Sequence, residues 1–154
     1  MLRYRDRMPV SPYIASLRAH VGHDLLLIPA VTAVIRDGDR FLLARHSDTG
    51  LWGLVGGSIE PGEQPADAVV REVLEEIGTG IRVLGIVGAY GGEDLVVEYP
   101  NGDRVAYVTT VYSCELTGEP RPDLDEILEV AWFSRDEVAA LELQPYVEQV
   151  LADA

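Results

Sequence analysis

The stretch GSIEPGEQPADAVVREVLEEIGT, residues 57–79, decides how the rest of the chain is read. Its second part repeats at helical spacing. Ala66, Val69, Val70, Val73, Leu74 and Ile77 fall on one stripe, Pro65 suits a first-turn position, and Gly78 and Gly80 stop the pattern. Advancing about 100° per residue from Glu72 puts Glu76 near +40° and Glu75 near −60°, with the apolar stripe from roughly +60° to +200°. Three carboxylates therefore crowd a strip that adjoins the face to be buried. Like charges at this spacing cost an isolated helix about 0.2–0.5 kcal/mol per pair. Taken alone, such a run is most often a solvated acidic face. Glu60 and Glu63 in the preceding loop change that reading, because five carboxylates near one helix entrance suit a hard divalent cation. Mg²⁺ takes oxygen ligands, keeps several waters and shares substrate phosphates. Arg71, four residues before Glu75, either pins that carboxylate or faces the phosphates.

Working outward, residues 48–62 read as loop, with Gly50, Gly53, Gly56, Gly57, Pro61 and Gly62. Before them, Leu25–Ile35 reads as a strand, Asp37-Gly38-Asp39 as a hairpin turn and Arg40–Arg45 as the returning strand. Ser11-Pro12 opens a short amphipathic helix over 11–21, with Ile14, Leu17 and Val21 on one side. After the helix of 65–77, strand patterns follow at Ile81–Ala89, Leu95–Glu98 and Arg104–Glu115, the last two joined by a turn at Asn101-Gly102. Leu128–Phe133 is a further strand, Ser134 caps a helix over Arg135–Leu141, and Pro145–Ala152 is helical. Strands outnumber helices and the helices are scattered among them, which makes an α/β class with a mixed sheet covered by helices.

Composition narrows the function. The chain has 154 residues, 12 Lys+Arg against 26 Asp+Glu, and a net charge of −14. A polyanion-binding surface needs Lys and Arg to neutralise phosphates, so no nucleic acid polymer is expected as partner. A phosphate substrate would instead require recruited metal cations. The apolar stretch Leu25–Ile35 is too short to span a bilayer, which takes about 20 residues, so no membrane is expected. The start, MLRYRDRMPVSPY, shows no signal peptide, and a lone Cys114 in an apolar alternation reads as a core thiol in a reducing cytoplasm.

Gly57, five residues, Glu63, seven residues, then Arg71-Glu72-Val73-Leu74-Glu75-Glu76-Ile77-Gly78 resembles the Nudix box, the signature of the Nudix hydrolase superfamily of MutT-like nucleoside diphosphate-X hydrolases. Every fixed polar and glycine position is present. The departure is Thr79, where the box closes with an aliphatic residue; Ile81 is placed to supply that packing. Similarity of order extends from about Leu25 to Leu141. Trp52-Gly53-Leu54-Val55-Gly56-Gly57 resembles the usual lead-in, with Val55 where the family often has Pro. Glu126 to Trp132-Phe133 resembles the late loop and strand. Residues 1–24 then form an N-terminal extension and residues 25–154 the domain.

The resemblance implies an α/β/α sandwich with a mixed, partly antiparallel sheet flanked by helices. It implies a Mg²⁺-dependent pyrophosphohydrolase, with Mn²⁺ able to substitute, that cleaves the diphosphate linkage of a small nucleoside diphosphate derivative by metal-activated water. A nucleoside triphosphate, ADP-ribose and a nucleotide sugar all fit. Glu72, Glu75 and Glu76 become metal carboxylates and Gly57 contributes its backbone carbonyl. Glu63 supports the loop or ligates through water, Arg71 meets carboxylates or phosphates, and Trp52 borders a base pocket. Glu126, in Pro122-Asp123-Leu124-Asp125-Glu126, is expected as a further acid facing the metals, with Asp123 and Asp125 as rivals. A homodimer is also implied, with the helix of 11–21 contributing to its contact through Ile14, Leu17 and Val21; the other possibility is that this helix folds back on its own sheet. The alternative is a nucleotide-binding sensor or regulator without turnover; such members usually have broken boxes, and this box keeps every carboxylate. Tyr90 and Pro100 match no substrate marker, and the run from Tyr99 to Asp103 stays unassigned. His20, His23 and His46 show no metal-ligand spacing to one another and read as structural or surface residues.

Overall fold

In the computed structural model, which describes residues 11–154, the long apolar run becomes β1 (Leu26–Asp37), buried on both faces from Ala30 to Ile35. Burial on both faces requires neighbours on both edges and a layer on each side. One edge pairs in parallel with β7 (Arg104–Leu116), from Leu26 opposite Val105 to Ile35 opposite Cys114. The other edge is shared between two antiparallel partners. β2 (Arg40–His46) takes its C-terminal end and β4 (Val55–Ser58) its middle. The β1–β2 turn is the expected one, with Gly38 at φ +61°.

Around this centre, β5 (Ile81–Tyr90) and β6 (Val96–Glu98) both run antiparallel to β7. β3 (Trp52–Gly53) and β8 (Ile127–Ser134) both pair antiparallel with β2. The stretch read as loop at 48–62 therefore holds two short strands. Its glycines are the reason: a Cβ on Gly56 would lie 2.1 Å from the carbonyl oxygen of Val31, so only a bare backbone fits against β1 at that point.

The sandwich is the expected class. Val31, Ala33 and Ile35 face α2 (Pro65–Ile77) in one core, with Val55, Ile81, Tyr112, Cys114 and Ile127. Val34 faces the opposite core with Phe41, Leu43, Val138, Val147, Val150 and Leu151, carried in part by α3 (Arg135–Val138) and α4 (Val147–Asp153). Ile81 takes part in the first core, as its place after Thr79 implied, and Thr79 itself is buried. Cys114 is a buried free thiol. α3 is shorter than the 135–141 expected. Ser134 and Glu137 form a capping box, after which Ala140 and Leu141 bond back three residues in tightened turns.

α2 is rotated relative to the reading of its stripe. Ala68, Val69, Val73, Glu76 and Ile77 are buried, while Val70 is 37% and Leu74 56% exposed. On the same wheel the buried arc runs from roughly −40° to +140°, so Glu72 and Glu76 lie inside it. Two apolar residues are left outside so that two acids can turn inward. That exchange positions the site.

α1 (Pro12–Val21) follows its N-cap Ser11, as expected, and lies on its own domain. The first ten residues of the extension lie outside the described residues.

Candidate active site

Arg71 organises the acids. Its Nε and Nη2 donate to the two oxygens of Glu63 at 2.7 and 2.9 Å, a bidentate fork. Nη2 also donates to the carbonyl of Ser58 at 3.0 Å, and Nη1 to Glu72 at 2.9 Å and Glu75 at 3.4 Å. One guanidinium thus ties the Gly-rich loop to the helix. Glu63 is held below its ordinary carboxylate range, first by the hydrogen bonds from Arg71. Arg71 is pushed further up from an already high value by the same partners.

Glu72 shows the opposite balance. Burial raises its pKa, against the pull of Arg71 and with the push of Glu75 and Glu63. Its carboxylate lies where a side chain on Gly57 would be: a Cβ there would sit 2.4 Å from Glu72 Cδ. A side chain on residue 57 would therefore push the Glu72 carboxylate from its place. Glu75 is the outermost of the three, its side chain 56% exposed.

Glu76 is the deepest acid, with 6% of its surface exposed. The backbone N–H of Gly56 faces its carboxylate, yet Oε2 is buried and has no hydrogen-bond partner. Burial drives its pKa well above the ordinary range, and the charges of Glu126, Glu72 and Asp123 add to the rise. Glu126 reaches Glu76 from the loop before β8. Its pKa is raised to about 7, first by burial and then by Asp123 and Glu72.

The three acids of that loop do different things. Asp123 Oδ1 accepts the N–H groups of Asp125, Glu126 and Ile127 at 3.1, 3.0 and 2.9 Å, which closes the turn. Asp123 N–H and Arg121 N–H dock the loop on the last carbonyls of α2, those of Glu76 and Ile77. Leu124 takes up a left-handed φ of +67°, rare for a leucine, to complete the turn. Asp125 is exposed. Glu126 is the one brought to the acids of α2.

Among the described residues, no three His, Cys, Asp or Glu side chains form a ready-made cation cluster, and Arg71 pairs with Glu72 and Glu75. A deep carboxylate oxygen without a partner, ringed by further acids, nevertheless fits a hard divalent cation.

The Trp52 ring packs edge-on against Phe133, with centroids 4.9 Å apart, in the second core. Its backbone also bonds Glu142 and Gln144. Tyr146 and Thr32 were missed in the sequence, whereas His46 is structural, as read. His46 is buried with Nε2 3.0 Å from the Leu54 carbonyl, and burial lowers its pKa. Tyr146 lies beside Thr32, which meets Thr109 oxygen to oxygen at 2.7 Å, and the charge of Glu76 bears on that tyrosine. Thr32 was legible as the polar residue in an otherwise apolar strand. Nothing in the sequence ties Tyr146 to Glu76.

The NUDIX domain family model matches residues 26–154. A MutT-like protein of Streptomyces ambofaciens is 32% identical over 139 residues, covering 90% of this chain and 84% of that protein. An NAD-capped RNA hydrolase NudC of Pseudomonas aeruginosa is 30% identical over 129 residues, which are 82% of this chain but only 43% of that relative's length. Among solved structures, a NUDIX hydrolase from Nitrosomonas europaea superposes with a TM-score of 0.69 at 29% identity, covering 83% of this chain and 88% of that one.

Proposed function

The chain belongs to the NUDIX hydrolase family, a pyrophosphohydrolase acting on phosphoric anhydrides, and from that premise we propose a Mg²⁺-dependent diphosphatase of small nucleoside diphosphate derivatives. The observation that carries the metal dependence is the unpartnered, buried Oε2 of Glu76, with the charges of Glu126 and Glu72 close by. Glu72, Glu75 and Glu76 hold the cation with the carbonyl of Gly57, and Mn²⁺ substitutes. When bound, the cation offsets the charge of the diphosphate and eases deprotonation of the attacking water.

The chain's own residues supply the rest. Arg71 orients Glu72 and Glu75 and is itself held by Glu63, so the acids are placed before substrate arrives. Glu126, poised near neutrality, accepts the proton of the attacking water on its carboxylate. Nucleoside triphosphates, ADP-ribose and nucleotide sugars are the substrate candidates, with Trp52 at the border of the base pocket. NAD-capped RNA, named for one relative, joins the assay panel. The lone buried thiol supports a reducing cytoplasm, and the exposed Leu84, Ile86 and Val108 support a homodimer.

The test is release of phosphate products from that panel with Mg²⁺ present and then chelated. Full turnover after exhaustive chelation defeats the metal reading; binding without turnover of any member defeats the hydrolase reading.

A further inference from the structure

The N-terminal extension is tied to the loop that carries Glu63. Ser11 Oγ donates to Glu60 Oε2 at 2.8 Å and accepts from the N–H of Ile14 at 3.5 Å as the cap of α1. One hydroxyl thus starts the helix and holds the loop. Glu60 in turn donates its backbone N–H to Glu63 Oε1 at 3.1 Å, the carboxylate that grips Arg71.

The far end of α1 is also anchored. Arg18 donates to the carbonyls of Asp24 at 2.6 Å and Arg104 at 2.8 Å, and lies 3.7 Å from Asp103. His23 Nδ1 meets that same carboxylate at 2.7 Å. The run from Tyr99 to Asp103, unassigned in the sequence, is the anchoring point. No residue of α1 is fully buried; Tyr13, Ile14 and Leu17 overhang a cavity of about 240 Å³ shared with Leu27, Pro29 and Ile59. Polar contacts at the two ends, rather than a packed face, therefore set where α1 lies.

We infer that α1 is a strap on the catalytic loop, and that Ser11 and Glu60 are positioning residues through which it sets Arg71 and Glu72. The inference rests on the role given above to those two residues. The link is continuous: Ser11 to the Glu60 side chain, the Glu60 backbone to Glu63, Glu63 to Arg71, and Arg71 to Glu72. Misplacement by about 1 Å far from the chemistry can lower a rate up to about 10²-fold, so loosening one relay gives a smaller loss.

The experiment uses the full chain with two readouts, turnover and amide hydrogen exchange of residues 58–63. Ser11→Gly removes the hydroxyl at little cost to the cap. Glu60→Ala removes the acceptor and spares the cap, and Glu60→Gln keeps an acceptor. Ser11→Gly and Glu60→Ala should each lower kcat about 3–10-fold with KM within about twofold, and should speed loop exchange at least about threefold. The double variant should be no worse than the worse single one, because both break the same link. Glu60→Gln should recover most of the loss. Unchanged exchange, a double variant with multiplied losses, a change in KM alone, or faster exchange with kcat intact each overturns the strap. If the wild-type chain shows no turnover, the catalytic reading has failed instead, and the exchange readout alone then decides the strap.

Discussion

Glu126 reaches the buried Glu76 from the loop before β8, so two carboxyl groups meet at the inner end of the site with Gly56 N–H facing one of them. Two carboxyl groups brought together in a buried place resist ionising together. The pair therefore keeps a proton that solvent-exposed acids would have released, unless a cation takes its place.

Stability without metal should fall as pH rises. Glu126 is raised from an ordinary 4.5 to about 7 and Glu76 well above 4.5, burial being the first cause in both. Between those limits the folded chain binds protons that the unfolded chain has lost, so the stability that the pair contributes is full below pH 4.5 and lost through about pH 7. Glu63, lowered by Arg71, acts in the opposite sense and below 4.5, so the optimum lies between the two effects. Melting curves in chelator should show Tm higher near pH 5 than near pH 8, and Mg²⁺ should shrink that gap. A Tm that is flat or rising over this range would sink the argument.

Removing one acid of the pair separates stability from activity. Glu76→Gln keeps the shape and deletes a buried charge, so the metal-free Tm at pH 8 should rise by about 2–4 °C for each 1 kcal/mol of repulsion relieved. The same change should cut kcat by at least about 10²-fold, as should Glu75→Gln at the exposed end of the strip. Circular dichroism confirms the fold in both variants. Near-normal turnover in either one would return that residue to a plain acidic face.

Arg71→Lys should be far from conservative. Lysine cannot reproduce a fork onto Glu63 while also reaching Ser58 and Glu72, and the neighbouring acids would lose their planar partner. A loss of about 10-fold or more in kcat is expected, together with a Tm lower by several degrees. A double cycle with Glu63→Gln should give strongly non-additive losses. Additive losses would mean that Arg71 acts on substrate and not through the loop.

Much of this was legible because the pattern is local. The box lies in one loop and one helix, so spacing alone places Glu63, Arg71, Glu72, Glu75 and Glu76 together. What spacing could not give is the rotation of α2. Counting apolar residues put Val70 and Leu74 in the core, whereas the two inward acids displace them. The strand at 55–58 was hidden for a related reason: glycines signal a loop, and here they signal a close approach to β1 and to Glu72. Tyr146 and the strap from Ser11 to Glu60 depend on tertiary contacts between distant segments, which no local pattern encodes.

Asp123, Asp125 and Glu126 are next to one another in sequence and should differ sharply on mutation. Asp123 accepts three backbone N–H groups, and a hydrogen bond to a charged group contributes about 1.5–3 kcal/mol net, less at an exposed turn. Asp123→Ala should therefore lower Tm by several degrees and reduce kcat indirectly, because the turn it closes is what aims Glu126. Asp125 is exposed and gives only its backbone N–H to that turn, so Asp125→Ala should leave both readouts near wild type. Glu126→Ala removes the one acid of the loop that reaches Glu76, so it should lose the most kcat with little change in KM. Its metal-free Tm at pH 8 should hold or rise as a like charge disappears. The pH profile adds a further check. If Glu126 is the base, kcat/KM should climb with pH in the wild type, and that limb should vanish in Glu126→Gln. Equal and minor effects at all three positions, or a rising limb that survives in Glu126→Gln, would leave the loop as a spacer and move the base elsewhere.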